Sequence, residues 1–277
     1  MTTPAISASP AYRWWLAATT ADRYGGSVTT LALMLLAYAI TGSTMLAGVI
    51  GTVRMLISFG LAPIGGLIVD SHDRRRLMLL RAGLSGAIWL LIAILVMFGS
   101  MPFALLLILV SLATAVGSLL GSAGEAALRS MTTPEQYASA MSINQARDSY
   151  AELIGNPLAG LLYAIGAAFP FFFTVLGFVV MGTATSFLPP LKPRVDPKDD
   201  GGEAREPRWR RALGGFRWIA QRRQMLVLTM MSASSNFGVF LVFVLIELYL
   251  IRSGMTAVLI GLMNTAEAVG VLLAAAV

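Results

Sequence analysis

The chain has 277 residues, of which 57% are hydrophobic and only 12% charged, with a formal net charge of +6 and a mean hydropathy of +0.76. A water-soluble domain carries about 25% charged residues, so this composition excludes a soluble globular protein, and the loop positions of most basic residues argue against a nucleic-acid partner. Cysteine is absent and His72 is the lone histidine, which excludes disulfides, thiolate metal sites and histidine-rich metal sites.

The N-terminal tail MTTPAISASPAYR is polar, and no cleavable leader is expected there. Apolar stretches of about 20 residues then recur, each long enough to cross a bilayer as a helix. Eight such helices are expected, at 14–40, 45–69, 77–99, 102–127, 138–165, 168–189, 225–251 and 256–277. The breaks between them carry turn chemistry: Thr41-Gly42-Ser43, then Gly99-Ser100-Met101-Pro102, then Ala167-Ala168-Phe169-Pro170.

Helix 1 holds Asp22 and Arg23, and helix 2 holds Arg54. Counted inward at about 1.5 Å per residue, these come out near mid-depth, as do Glu152 in helix 5, Asn236 in helix 7 and Glu267 in helix 8. A charge facing lipid there costs at least about 2.5–3.5 kcal/mol. Both signs at one level therefore predict a shared hydrated interior. On helix 5, Asn144, Asp148, Glu152 and Gly155 fall on one face by their spacing. Three roles stay open for the acids: carrying a coupling proton, binding a cationic substrate, or pairing permanently with an arginine. Adjacent residues diverge by about 100° on a helix, so Asp22–Arg23 and Arg147–Asp148 are expected to find partners on other helices. Glu152 has no basic neighbour within a turn and is the first candidate for a proton or substrate carboxylate. Gly155, Pro157 and Gly160 are small or kinking residues that favour close helix approach. A contact between helix 5 and Gly261 and Gly270 of helix 8 is expected.

Between helices 2 and 3 lies GGLIVDSHDRRRLMLL, Gly65–Leu80. With the N-terminus in the cytoplasm, the cytoplasmic segments hold Arg13, Arg74, Arg75, Arg76, Arg81, Arg129 and all the basic residues from Lys192 to Arg223. The outer turns hold only Arg252. That asymmetry sets the orientation. Residues 192–207, KPRVDPKDDGGEAREP, read as a flexible linker. Arg208–Arg223 reads as an amphipathic helix on the inner leaflet. Three regions follow: a six-helix bundle over 1–190, a cytoplasmic linker over 191–224, and two helices of a second bundle over 225–277.

Gly66, Asp70, Arg74 and Arg75 follow a Gly-x-x-x-Asp-x-x-x-Arg-Arg pattern that resembles the loop between helices 2 and 3 of the major facilitator superfamily. Ser71 and Asp73 depart from its commoner form. The Asp-Arg-Arg-Arg ending resembles the bacterial branch of drug, macrolide and siderophore exporters. The helix 5 segment NQARDSYAELIGNPLAGLLYAIG resembles that branch's antiporter segment, with Asn156 where a proline is usual. The resemblance implies an all-α polytopic fold with a six-helix N-terminal bundle. It also implies a cytoplasmic gate in which Asp70 and the arginines bond across to the other half and to an acid near the inner end of helix 4, here Glu125. The implied function is secondary active, proton-coupled export of small amphipathic molecules from the bacterial cytoplasmic membrane, with protons, substrate and lipid as partners and no cofactor. An uptake symporter of the same fold and a non-transporting scaffold are the alternatives. No phosphate-binding glycine loop and no catalytic set is visible, so an enzyme is not expected. The family has twelve helices and this chain accounts for eight, so a longer parent protein is expected, or else completion by a second copy.

Overall fold

The computed structural model describes residues 9–191, 220–256 and 259. Helices α1 (Pro10–Thr41), α2 (Thr44–Ser71), α3 (Arg74–Met97), α4 (Phe103–Leu120), α5 (Ala123–Met131), α6 (Pro134–Ile165), α7 (Phe169–Ser186) and α8 (Arg223–Arg252) follow in chain order. No strand occurs among the described residues. Six segments are long and apolar enough to cross a membrane, with α4 and α5 together forming one of them. The fold is therefore all-α and polytopic, as the apolar runs imply.

The helix ends follow local chemistry. Gly42 adopts φ 63° after α1, a left-handed conformation that favours glycine, and its N–H bonds to the Tyr38 carbonyl at 2.8 Å. Ser43 caps α2 by accepting from the Leu46 amide. Asp73 caps α3, accepting from the amides of Arg75 and Leu191 at 2.9 and 3.1 Å. Thr133 and Gln136 form a reciprocal capping box at the start of α6, with a proline in its first turn. Such pairs satisfy amides that the first turn leaves without partners.

Three boundaries correct the sequence expectations. Helix 3 begins at Arg74 rather than 77, so Arg74, Arg75 and Arg76 form its first turn and the connection from α2 shrinks to His72 and Asp73. Helix 5 begins at Pro134 rather than 138, because the capping box supplies a start that apolar periodicity does not register. The single helix expected over 102–127 is two, divided at Gly121 and Ser122. Gly117 and Gly121 stand one turn apart there, and small residues are a recognised cause of helix breaks. The amphipathic segment is described only from residue 220 onward, and the helix expected at 256–277 lies almost wholly outside the described residues, as do Gly261, Gly270 and Glu267.

Helix α1 is central: it packs against α7 and α6, and more lightly against α2. Helices α3 with α7 and α2 with α4 make the other broad contacts. Trp89 of α3 stacks on Phe171 of α7, with ring centroids 5.9 Å apart. The buried hydroxyls of Thr29 and Thr174 bond at 2.7 Å across α1 and α7. Two crossings depend on missing side chains. A Cβ on Gly65 would lie 2.3 Å from the Ser118 carbonyl oxygen of α4, and one on Gly177 would lie 2.8 Å from the Ala21 carbonyl oxygen of α1.

Helix α6 is as long as α1, at 32 residues each, but it is not among the six apolar spans. Its interruption by Arg147, Asp148 and Glu152 lowers its hydropathy. Those side chains line the interior of the bundle instead.

Candidate functional site: a charged cavity inside the first bundle

A cavity of about 950 Å³ opens within the first bundle, walled by α1 to α7 and by no residue of α8. Arg23, Arg54, Arg81 and Arg147 line it together with Asp22, Glu125, Asp148 and Glu152. Polar lining at this depth is stable because the charges face one another and water rather than lipid.

Two of the acids are held by arginines. Asp22 on α1 bonds Arg81 on α3 at 2.8 Å, with each side chain 19% exposed. Asp148 on α6 bonds Arg23 on α1. The pairing onto other helices agrees with the angular argument from sequence. That argument fails in one respect: Asp148 also accepts from its sequence neighbour Arg147, at 3.0 Å from Nη2 and 3.2 Å from Nε, because a long guanidinium can fold back across the helix surface. Arg147 further donates to the Thr19 hydroxyl at 2.6 Å and lies 5.8 Å from the Trp15 ring centroid, a cation–π distance. Trp15 is fully buried and donates its indole N–H to the Gly124 carbonyl at 2.7 Å. This ties α1, α5 and α6 into one network.

The other acids differ. Glu152 is exposed to the cavity and makes no hydrogen bond or ion pair among the described residues, although Arg23 is within electrostatic reach. Glu125 sits in the first turn of α5 and also lines the cavity. Arg54 has no hydrogen-bonding or carboxylate partner among the described residues. Asn144 is buried in the lining, and its side-chain oxygen has no hydrogen-bond partner. Asn144, Asp148 and Glu152 follow one another down the cavity side of α6, as their spacing implies.

Asn236 departs from expectation. It is exposed on α8 and donates its side-chain amide to the Ser232 carbonyl of its own helix at 2.8 Å, away from the cavity. A mid-depth position fixes height but not the side a residue faces. Gly155 is buried, but against α1: a Cβ there would lie 2.1 Å from the Ser27 hydroxyl oxygen. Its close partner among the described residues is helix 1, within the same half; the expected contact with Gly261 and Gly270 of helix 8 lies outside the described residues. Pro157 is inside α6, and Gly160 is buried.

The residues of the loop pattern are not brought into one bonded group. Arg75 donates from Nη2 to the Ser186 carbonyl at 2.6 Å and from Nε to the Thr185 carbonyl at 3.4 Å. It thereby caps the C-terminus of α7, where a cation also suits the helix dipole. Arg74 has buried Nε and Nη1 atoms without partners. Asp70 is exposed. Both Asp70 and Glu125 lie within electrostatic reach of Arg129 near the end of α5, and Arg129 also covers the Tyr137 ring at 5.4 Å. A Cβ at Gly66 would meet nothing within 4 Å.

Sequence reasoning missed Arg81, Arg129 and Arg147 as site residues and treated the first two as topological loop charges. Arg81 stands seven residues after Arg74, about 10 Å along a helix. Once α3 begins at Arg74, that places Arg81 about two turns inside the helix, where it meets Asp22. The Asp73 cap was the available signal.

The sequence model of a known family, described as Major Facilitator Superfamily, matches residues 15–277. No curated protein matches the sequence significantly.

Proposed function

The chain belongs to the Major Facilitator Superfamily and is accordingly a membrane transporter; from that premise we propose that it exports small amphipathic molecules in exchange for protons. The observation that carries this reading is the contrast among the acids of one cavity. Asp22 and Asp148 are held by arginines. Glu152 has no such partner and faces the cavity. Glu152 is therefore the exchange site: ionised, it holds a cationic group of the substrate; protonated, it releases that group.

The rocking of two helical halves around such a site gives alternating access. Asp70, Arg129 and Glu125 are proposed as the cytoplasmic gate, together with Arg74 of the same loop pattern. The direction of transport rests on the likeness of the α6 segment to exporters. The proposed setting is the bacterial cytoplasmic membrane, with the N-terminus inside.

The test is efflux of a fluorescent cationic dye from proteoliposomes under an imposed pH gradient, with internal pH followed in parallel. The wild-type chain is expected to couple dye and proton movement. Glu152→Gln, which mimics the protonated acid, is expected to lose coupled flux at least tenfold. Undiminished proton-linked flux in Glu152→Gln would remove Glu152 from the mechanism.

A further inference from the structure

We propose that the transported molecules are amphoteric, carrying an anionic group held by Arg54 together with the cationic group held by Glu152. The inference rests on the reading of this cavity as the substrate site and adds the substrate's charge class. Its basis is which charges remain uncommitted. Arg23, Arg81 and Arg147 are occupied by Asp148 and Asp22. Arg54 is the cavity arginine with no acid partner among the described residues. An unpaired guanidinium at membrane depth is costly unless something anionic or water meets it.

The uncommitted charges on two of the walls are opposite, Arg54 on α2 and Glu152 on α6. On α2, Ser58 stands one turn from Arg54 and its hydroxyl lies 3.4 Å from that of Ser118 on α4. Guanidinium and hydroxyl groups offer donors suited to a carboxylate. On α6, the Glu152 carboxylate and the unpartnered oxygen of Asn144 suit a cationic group. Helices α2 and α6 both pack on α1, so the two walls flank one helix in the same cavity. A purely cationic substrate would leave Arg54 unanswered, and a purely anionic one would leave Glu152 unanswered. An amphoteric substrate also suits exchange, because a proton on Glu152 displaces the cationic group directly. A proton bound beside a purely anionic substrate would instead favour its retention.

The test uses three xanthene dyes of similar size and fluorescence polarisation with the purified full chain. Rhodamine B carries both charges, its ethyl ester only the cation, and fluorescein only anionic charge. Wild type is expected to bind rhodamine B at least tenfold more tightly than the ester. Arg54→Gln is expected to abolish the preference for rhodamine B over the ester; Arg54→Lys, which keeps the charge, recovers part of that preference. The wild-type comparison of dye and ester needs no variant to fold. Equal affinity for rhodamine B and its ester would overturn the proposal, as would an Arg54→Gln variant that weakens both alike. Tighter binding of fluorescein than of rhodamine B would overturn it in favour of an anionic substrate. If none of the three dyes binds, the substrate-cavity reading falls and this one with it. If charge-selective binding is present without proton-linked flux, exchange fails while the amphoteric assignment stands.

Discussion

Gly65 and Gly66 are adjacent in α2, yet one is wedged and the other is free. A methyl group on Gly65 would be driven against the Ser118 backbone, which cannot turn aside as a flexible side chain would. Gly65→Ala is expected to destabilise the bundle by about 1–3 kcal/mol, lowering the thermal midpoint by several degrees in a tryptophan-fluorescence melt. Gly66→Ala meets open space and is expected to leave the midpoint unchanged; an equal drop in both variants would refute the packing assignment. The loop pattern in the sequence singles out Gly66, and spacing alone cannot tell which of two neighbours touches α4. That depends on the rotation of α2 about its axis, which is settled by the whole interface. The same limit explains Asn236, whose facing was not legible. The carboxylates of Asp22, Asp148 and Glu152 were legible because charge inside an apolar run needs an interior to face. Their division into paired and unpaired was not, because it depends on Arg81 and Arg23 reaching Asp22 and Asp148 from other helices.

At the scale of helices, the start of α3 and the end of α7 are joined by Arg75. Its guanidinium supplies donors to carbonyls that a helix C-terminus otherwise leaves open, and bonds to charged donors contribute roughly 1.5–3 kcal/mol. Arg75→Ala is expected to speed amide exchange over residues 185–191, read by hydrogen–deuterium exchange with mass spectrometry. Arg75→Lys should restore part of the protection, and Arg76→Ala, at an exposed position, should leave it unchanged. Unaltered exchange in Arg75→Ala would show that the contact contributes nothing to that junction. Apolar run length located the helices well, but three ends needed other cues. Asp73 and Thr133-x-x-Gln136 are capping signals visible in the sequence, and they extend α3 and α6 beyond their apolar cores. The break between α4 and α5 is less visible: glycines permit a break without requiring one, and the surrounding packing decides it.

For the whole molecule, orientation in the membrane is the property on which inside and outside depend, and the absence of cysteine makes it directly testable. Single cysteines at His72, between α2 and α3, and at Ser100, between α3 and α4, would both sit at exposed positions. A membrane-impermeant maleimide added to intact cells is expected to label Ser100→Cys at once and His72→Cys only after permeabilisation. The reverse pattern would invert the topology and with it the direction of export. The apolar helical runs of the first bundle followed from composition, whereas the cavity itself emerged only from the way α1 gathers α6 and α7 around it. That cavity's lining has a further consequence. Its four arginines and four carboxylates, when all ionised, cancel, so reorientation of the bare wall carries almost no net charge through the transmembrane field. At about 2.3 kcal/mol per elementary charge per 100 mV, membrane voltage has little purchase on such a wall. In the exchange proposed above, the electrical character of each half-cycle would be set by its passenger: an amphoteric molecule would cross nearly blind to voltage, while the returning proton on Glu152 would be the step the membrane potential drives.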